Sequence, residues 1–293
     1  MKSATGIAEL IFTATLAVTM PAPADVAMKS AENAATDDTL RKVEETAREL
    51  ANPNTPLASL TLRNQWFHWG GDLPGADGLD SGTLLFQPSF PFPLSKTDLI
   101  FCRPALPYLL DQPVADGSGQ VETRSGFGDM GMDLAYGRTM PSGFIMVAGL
   151  VGGIPIGEDG LSSDTWTIGP EMALGRLSRS VVFVLFTSHQ WDVSGPAEAS
   201  LTTVQPIANF LPGGGWAIGT MGLMNYNWES EQWTVPLNLT LAKTLMFGRL
   251  PVRIGVEGNY YVDKSDALGQ DWMVGLNITP VVPNILANWL GRD

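Results

Sequence analysis

The residue types that could support hydrolysis are scarce in this sequence of 293 residues, which contains two histidines and one cysteine. A serine nucleophile needs a histidine within hydrogen-bonding distance and a third group that orients the histidine. Ser188 is adjacent to His189, but neighbouring residues of a strand point to opposite faces. His68 is followed by Trp69 and Gly70, which offer no nucleophile. We therefore expect no catalytic residues, and a lipolytic enzyme with a pair formed across strands is the least favoured alternative.

The spacing of cysteine and histidine residues matches no metal-binding or cofactor-binding motif. Because Cys102 is the only cysteine, CxxC pairs and internal disulfides are absent, and neither histidine belongs to an HExxH motif. We expect no metal and no cofactor. The 30 acidic residues exceed the 17 basic ones and give a formal net charge of −13, which argues against nucleic acid as a partner. Charged residues make up only 16% of the chain, where an ordinary soluble domain has roughly 25%.

One set of charged residues could line a site inside the molecule. In segments where polar and apolar residues alternate, these charged residues occupy the polar positions and so lie on the face opposite to the apolar side chains. They are Arg63, Arg103, Asp129, Asp133, Glu171, Arg253 and Glu257. A charge that faced lipid at mid-depth would cost on the order of 2–4 kcal/mol. We therefore expect this set to line the lumen of a barrel. Its role is open between a salt-bridged network that fills a narrow interior and a wet pathway lined by paired charges.

The elements that position these residues have a period of two from about residue 58 onward. Leu237 and Leu239 alternate with Asn238 and Thr240, so the leucines are predicted to contact lipid and the polar pair to face the lumen. Twelve strands are predicted near residues 58–68, 83–91, 99–108, 127–137, 143–154, 166–176, 181–191, 202–211, 216–228, 232–243, 251–262 and 271–281. This pattern is typical of an all-β, antiparallel transmembrane β-barrel, here with a short N-terminal helix. Prolines interrupt several strands, which predicts bulges.

Loop lengths and aromatic positions support the barrel. The links between strands alternate between short turns and longer loops, as periplasmic turns and external loops do, and an even strand number places both termini on the short-turn side. Tryptophans fall at the long-loop ends, as Trp66, Trp69, Trp166, Trp191, Trp228, Trp233 and Trp272. Other aromatic residues fall at the short-turn ends, as Phe90, Phe92, Phe101, Tyr136, Phe144, Phe210 and Phe247. A soluble β-sandwich, the alternative, gives no reason for this separation.

The N-terminal region divides into two predicted segments. Residues 1–24 have a lysine near the start, an apolar stretch and an Ala-x-Ala site, which predicts a secretory signal peptide, with a membrane-anchoring helix as the alternative. Residues 25–56 are predicted to be periplasmic, with an amphipathic helix that begins near Thr36 and ends before Pro53. Its charged face favours a solvated helix over a plug inserted in a pore. Residues 57–283 would form the barrel and residues 284–293 a C-terminal tail.

Ordered short motifs carry a resemblance to a known family. They include Phe-Gln-Pro-Ser-Phe-Pro at residues 86–91, Gly-Phe-Gly-Asp at 126–129, Gln-Pro-Ile-Ala-Asn-Phe at 205–210 and Trp-Thr-Val-Pro-Leu at 233–237. Over roughly residues 50–283 the chain resembles the outer-membrane transporters catalogued under the MetA pathway of phenol degradation, often mislabelled neuromedin U. The resemblance implies a barrel channel for hydrophobic or aromatic compounds. The chain departs from the pattern by continuing past the last strand instead of ending on an aromatic residue.

These observations predict an outer-membrane channel for passive passage of small molecules, with a closed structural envelope barrel as the alternative. The expected partners are membrane lipid, outer-leaflet lipopolysaccharide, a small-molecule solute and the barrel assembly machinery. Acidic residues crowd the long-loop side, opposed there by Arg124 and Lys264, and basic residues dominate the short turns. This asymmetry predicts either divalent-ion bridging to the anionic outer leaflet or, with an open lumen, a weak preference for cations.

Overall fold

A computed structural model describes residues 23–115 and 118–284, with side chains from Thr36 onward. The chain divides into two compact units, residues 1–39 and 40–293, and the second contains all the strands. The predicted signal peptide and C-terminal tail lie almost wholly outside the described residues. The elements are α1 (Pro23–Ala51), β1 (Ser59–Gly70), β2 (Leu79–Pro93), β3 (Asp98–Ala115), β4 (Val121–Phe127), β5 (Met130–Thr139), β6 (Phe144–Ile154), β7 (Trp166–Leu177), β8 (Val181–Ser194), β9 (Ser200–Gly213), β10 (Trp216–Thr220), β11 (Met224–Asn227), β12 (Gln232–Phe247), β13 (Leu250–Asp263) and β14 (Gly269–Pro280).

The strands form one closed antiparallel barrel. Each strand pairs with its neighbour in sequence, and β14 returns to pair with β1. β4 and β5 both pair with β3, and β10 and β11 both lie between β9 and β12, so each couple acts as one interrupted barrel strand. Fourteen segments therefore make twelve barrel strands, and the predicted fold class is confirmed. Through the pairing of β14 with β1 the sheet closes on itself, as a membrane-spanning sheet requires, and β4 is paired with β3 alone.

Exposure follows the predicted alternation along each strand. Leu237 and Leu239 are 63% and 66% exposed, whereas Thr240 is 6% exposed and faces the interior. Side chains that present an apolar ring outward at the long-loop ends are Trp66, Trp166, Trp191, Trp228, Trp233 and Trp272. Tyr136, Phe144, Phe210 and Phe247 do so at the short-turn ends. An exposed apolar band flanked by aromatic residues is the surface that a barrel presents to lipid.

Two aromatic residues depart from these girdles. Trp69 is buried and its Nε1 donates a hydrogen bond to the Ser81 hydroxyl at 2.8 Å, because it shares the phase of Arg63 along β1 and therefore points into the barrel. Phe101 is only 2% exposed and lies in an apolar cluster inside the barrel. Phe101 likewise shares the phase of Arg103 on β3. For both residues the position near a strand end predicted an aromatic girdle, whereas alternation along the strand determines the inward position.

The barrel interior is apolar at its short-turn end. Buried side chains there belong to one cluster: Ala51, Leu99, Phe101, Ala135, Ile145, Val147, Ala173, Leu177, Val182, Val184, Ile207, Leu211 and Ala217. Ile145 and Val147 are buried while Phe144 and Met146 between and beside them are exposed. Both faces of these strands are therefore apolar near the short turns, which corrects the expectation of one apolar and one polar face throughout. We call this cluster the apolar floor.

α1 begins earlier than predicted and contributes to the floor. The helix starts at Pro23, a residue suited to the first helical position, and continues through the polar residues near Thr36, because the alanine-rich stretch before them favours helix. Within the second unit its buried face consists of Val43, Ala47 and Ala51. The charged face of this part is exposed, whereas its apolar face packs against the barrel. No helix in the described part of the chain is long and apolar enough to cross a membrane.

The barrel wall is interrupted between β10 and β11 at residues 221–223. The neighbouring strands carry Pro206 and Pro236, which lack the N–H group that a ladder needs. Side chains replace the lost bonds: Gln205 Nε2 donates to the Met221 carbonyl at 3.0 Å, and Asn238 Oδ1 accepts from the Met221 N–H at 2.8 Å. We call this stretch the seam.

Candidate functional site

A cavity of about 610 Å³ lies inside the barrel, between the apolar floor and the long loops. Five of the predicted lumen residues line it: Arg63, Arg103, Asp133, Glu171 and Arg253. Apolar side chains share the wall, among them Leu85, Val151, Phe186 and Ile207. The structure therefore brings most of the predicted set into one chamber.

Acidic residues occupy one side of the cavity. Arg103 on β3 stands opposite Asp133 on β5, and their side chains form an ion pair of 2.5 Å. Glu171 on β7, 8% exposed, lies within hydrogen-bonding reach of Asp133. The Arg103 guanidinium also stacks over Phe101, with 4.2 Å between its carbon and the ring centroid. Ion pairing and stacking thus compensate the charge of Arg103, although its Nε is buried without a hydrogen-bond partner. We call this side the acidic wall.

The opposite side of the cavity carries two arginines. Arg63 on β1 is in register with Asn277 of β14, and Arg253 on β13 is in register with Thr279 of the same strand. β14 therefore lies between them. Around the ring of twelve barrel strands β14 is five strands from β6, which separates Asp133 from Glu171. The arginines consequently face the acidic wall almost diametrically. We call this side the cationic wall.

Glu257 lies further toward the long loops and does not line the cavity. Its Oε1 accepts a hydrogen bond of 2.9 Å from Gln65, which reaches across β14 at Gly275. A Cβ atom at Gly275 would lie 2.9 Å from both Cγ and Oε1 of Glu257. The carboxylate therefore needs glycine at that position. Gln65 was absent from the predicted set because a neutral amide gives no signal in a search for charges.

Asp129 also departs from the cavity and instead fastens an external loop. It lies in the break between β4 and β5, where its carboxylate accepts hydrogen bonds from the N–H groups of Gly157 and Ser163 and from the hydroxyls of Ser162 and Ser163, at 2.7 to 3.1 Å. Burial raises the pKa of Asp129, but these hydrogen bonds outweigh it and leave the pKa below its ordinary value. The prediction for Asp129 relied on alternation along an uninterrupted strand. Because the strand is interrupted here, alternation could not reveal this role.

The end of α1 closes the short-turn side of the cavity. Arg253 Nη1 donates to the carbonyl of Leu50 at 2.9 Å, and residues 50–53 line the cavity. On the outer side of the same helix, Glu44 Oε1 accepts from the N–H of Gly214 at 2.9 Å. A Cβ at Gly215 would lie 2.5 Å from Val43 Cγ1, so the turn and the helix are in close contact. The role of Leu50 could not be predicted from the sequence, because every residue type has the same backbone carbonyl.

The two histidines lie on the outer face of the barrel. Ser188 and Gln190 line the cavity, so His189 between them points outward, where its Nδ1 is 2.7 Å from the Thr202 hydroxyl. Its Nε2 is 3.5 Å from the Ser200 hydroxyl, the limit of a hydrogen bond. Elsewhere on the surface His68 stacks on Trp272 and bonds Asp80 at 2.8 Å. Among the described residues no group of histidine, cysteine and acidic side chains could hold a metal ion.

Comparison with known proteins identifies the architecture. The fold is similar to the COG4313 outer membrane channel from Pseudomonas putida F1, with a TM-score of 0.60 at 11% identity over 77% of this chain and 96% of that one. Lower TM-scores relate it to NanC porin (0.48; 9% identity; 76% and 99% covered) and to outer membrane phospholipase A from Escherichia coli (0.41; 11%; 80% and 94%). No protein-family model and no curated protein sequence matches the chain.

The similarity to the COG4313 channel supports the fold, and the surface of the barrel indicates its surroundings. Large apolar side chains cover the outside of the strands, and water would not tolerate an exposed apolar band of that extent. Hydrogen bonding closes the sheet on itself, so the backbone needs no water within the band. The chain is therefore a twelve-stranded β-barrel of the outer membrane with the architecture of an outer-membrane channel.

Proposed function

We propose that the protein is an outer-membrane channel for passive passage of small molecules through the barrel. The observation that carries the proposal is the cavity of about 610 Å³, which keeps Arg63, Arg103, Asp133, Glu171 and Arg253 inside the barrel. A purely structural barrel would gain stability by filling this space with packed apolar side chains. Retaining charges in a partly enclosed space costs free energy. A pathway for solutes gives a reason for that cost.

Passage toward the short-turn side requires the end of α1 to move. A solute leaving the cavity in that direction meets Leu50 and Ala51 and then the rest of the apolar floor. The helix presents little buried apolar surface, since the side chains of its buried face are Val43, Ala47 and Ala51. Its displacement therefore costs far less than opening the barrel wall. We infer that the second unit alternates between two states. In one the end of α1 is docked on the apolar floor, and in the other it is displaced from the floor.

The apolar floor is also the observation that favours the alternative, a closed envelope barrel without transport. Val182 and Val184 are fully buried, as they would be in a permanently filled interior. The two functions differ in whether the floor opens. A variant that prevents α1 from docking separates them.

Val43→Asp combined with Ala47→Asp tests the channel. Both changes place a charge on the buried face of α1, whereas Leu40→Asp, the matched control, changes a side chain that is 48% exposed. For a channel, the double variant should raise single-channel conductance in planar bilayers several-fold, and Leu40→Asp should leave it unchanged. Silence of both variants, with the barrel shown to be folded by heat-modifiable mobility on a gel, would support the closed barrel instead.

The finer assignments extend the same proposal. Membership of the MetA-pathway transporters and passage of hydrophobic or aromatic solutes stay predictions. The apolar side chains of the cavity, such as Phe186 and Leu85, support the solute class. Lipopolysaccharide and the barrel assembly machinery are the further partners that we propose, because the fold is one that inserts into the outer membrane. Absence of catalysis also stays a prediction, and it is tested by phospholipid hydrolysis with and without calcium.

A further inference from the structure

Arg63 and Arg253 are placed to act on one small group. Adjacent strands are about 4.8 Å apart, so the backbones of β1 and β13 are roughly 10 Å apart across β14. The two arginines are offset by two residues along β14, a further 7 Å or so. Arginine side chains span such a gap when both point into the cavity, as these do. Their like charges are close enough to repel each other.

The charges of these arginines are poorly compensated. Within the described part of the chain neither forms an ion pair with a carboxylate, and the Nε of Arg63 is buried without a hydrogen-bond partner. The partner that Arg253 has is a neutral carbonyl, that of Leu50. Glu257, the nearest acid along β13, forms no ion pair with either arginine in the described part of the chain and accepts its hydrogen bond from Gln65. Burial of a guanidinium without an anionic partner is costly, so the cationic wall lacks a group that a ligand can supply.

We infer that Arg63 and Arg253 form a binding site for the carboxylate group of a small organic anion inside the barrel. The inference rests on the proposed channel function, since it names the class of solute. A guanidinium donates two parallel hydrogen bonds to a carboxylate, which matches its planar shape. Thr61, Thr279 and Asn277 lie between the arginines and add hydroxyl and amide groups at the same wall.

The acidic wall favours a ligand with a single negative charge. Its one cation, Arg103, already pairs with Asp133, so a second anionic group, or a doubly charged phosphate, would be buried there without a partner. The rest of the ligand meets apolar side chains, with Val151 and Phe186 on the far side. The volume of about 610 Å³ is within the range of small-molecule sites. A monocarboxylate with an apolar body, such as an aromatic acid, satisfies both walls.

Equilibrium binding to the purified, detergent-solubilised full chain tests the site. Benzoate is the probe, and benzamide is its neutral counterpart of similar shape. Isothermal titration should show that benzoate binds at least about tenfold more tightly than benzamide, because a charged partner strengthens the hydrogen bonds of a guanidinium. Arg63→Gln and Arg253→Gln should each weaken benzoate binding about tenfold. Arg249→Gln, an exposed change in a short turn, should not.

Three results would overturn the inference. Equal affinity for benzoate and benzamide would remove the charge as the basis of recognition. Equal competition by chloride or phosphate would show a general anion site rather than a carboxylate site. Unchanged benzoate binding in folded Arg63→Gln and Arg253→Gln would place the site elsewhere. If a glutamine variant fails to fold, Arg63→Lys, which keeps the charge and loses the planar fork, should still weaken benzoate binding measurably.

The same measurements separate this inference from the channel proposal. Benzoate binding by a barrel that never conducts would sustain the carboxylate site and contradict the channel. Conductance without benzoate binding would sustain the channel and contradict the site. The two claims therefore fail independently.

Discussion

Asp129 holds the loop between β6 and β7, and this anchor makes a prediction about pH. A carboxylate whose native pKa is lowered adds stability that is complete above its ordinary pKa, about 3.9, and disappears as pH falls through the lower native value. The loop should therefore stay fastened at pH 5 and loosen only in stronger acid. Asp129→Asn should loosen it at neutral pH, because an amide nitrogen cannot accept the hydrogen bonds.

Amide hydrogen exchange of Gly157 and Ser163 measures this anchor directly, since both N–H groups donate to Asp129. At pH 7 we expect exchange at least about fivefold faster in Asp129→Asn, because a hydrogen bond to a charged group is worth roughly 1.5–3 kcal/mol. Asp159→Asn in the same loop is the control, because the backbone of Asp159 makes its contact with Arg124. Equal exchange in Asp129→Asn and the wild type would refute the anchor.

Gly275 makes a second prediction for a single residue. Gly275→Ala would place a Cβ at 2.9 Å from Glu257 and should destabilise the barrel by about 1–3 kcal/mol, the range for overpacking. Gly258→Ala on β13 is the control, because its Cβ would meet only the Met273 carbonyl at 3.8 Å. Urea unfolding followed by tryptophan fluorescence compares the two. Equal midpoints would show that Glu257 moves aside freely.

At the scale of residues, the sequence predicts that these charged side chains point into the barrel, but it does not predict which residues they contact. Alternation along a strand identifies the face on which Arg63 or Glu171 lies, and the free-energy cost of a charge in lipid indicates that this face is the inner one. It carries no information about which strand lies across the cavity. The division into a cationic and an acidic wall depends on closure of β1 against β14, and so it emerges only in the folded barrel.

At the scale of elements, the seam between β10 and β11 should be the least protected part of the barrel wall. Asn238→Leu removes the acceptor of the Met221 N–H and should speed exchange of that amide about tenfold, whereas the flanking Ile218 amide should be unaffected. The control is Asn225→Leu, which alters a side-chain bond to Thr203 and leaves the Met221 amide alone. Unchanged exchange of Met221 would mean that another group holds the seam closed.

The strands were predictable because lipid outside and a chamber inside impose alternation, and because every second link between strands is a short turn. The interruptions at residues 128–129 and 221–223 were not predictable, because prolines indicate a disturbed strand but do not show which side chains compensate for it. The start of α1 was wrong because a polar run such as Thr36 to Asp38 can cap a helix or simply continue one. Docking of Val43 and Ala47 depends on the space left inside the closed barrel, a tertiary property.

At the scale of the whole molecule, the long-loop end is acidic and the interior carries the cationic wall. The acidic residues in the described loops and strand ends include Asp72, Asp77, Glu158, Asp159, Asp192, Glu198, Glu229, Asp263 and Asp266. Such a mouth should concentrate cations and slow the entry of anions, an effect that fades as the Debye length falls from about 30 Å at 0.01 M salt to about 3 Å at 1 M.

We therefore predict a weak cation preference of the channel in dilute KCl that largely disappears in 1 M KCl, measured as reversal potential. Entry of benzoate should accelerate over the same range of salt, because the repulsion at the mouth is screened. Glu198→Gln with Glu229→Gln should reduce the preference, and Lys96→Gln at a short turn should have a much smaller effect. An anion preference at low salt would contradict the prediction and would point to Arg63, Arg103 and Arg253 as the residues that set selectivity.

The link between α1 and β1 consists only of residues 52–58, and this short tether limits what opening can mean. A helix end that leaves the floor stays attached to the wall beside it, at an effective concentration of roughly millimolar or above. Its return is then an intramolecular event, and it outpaces any competitor that diffuses from bulk solution. Opening should appear as brief, repeated bursts of current rather than as a lasting transition. A free peptide with the sequence of the helix, added at micromolar concentration, should be unable to block the pore.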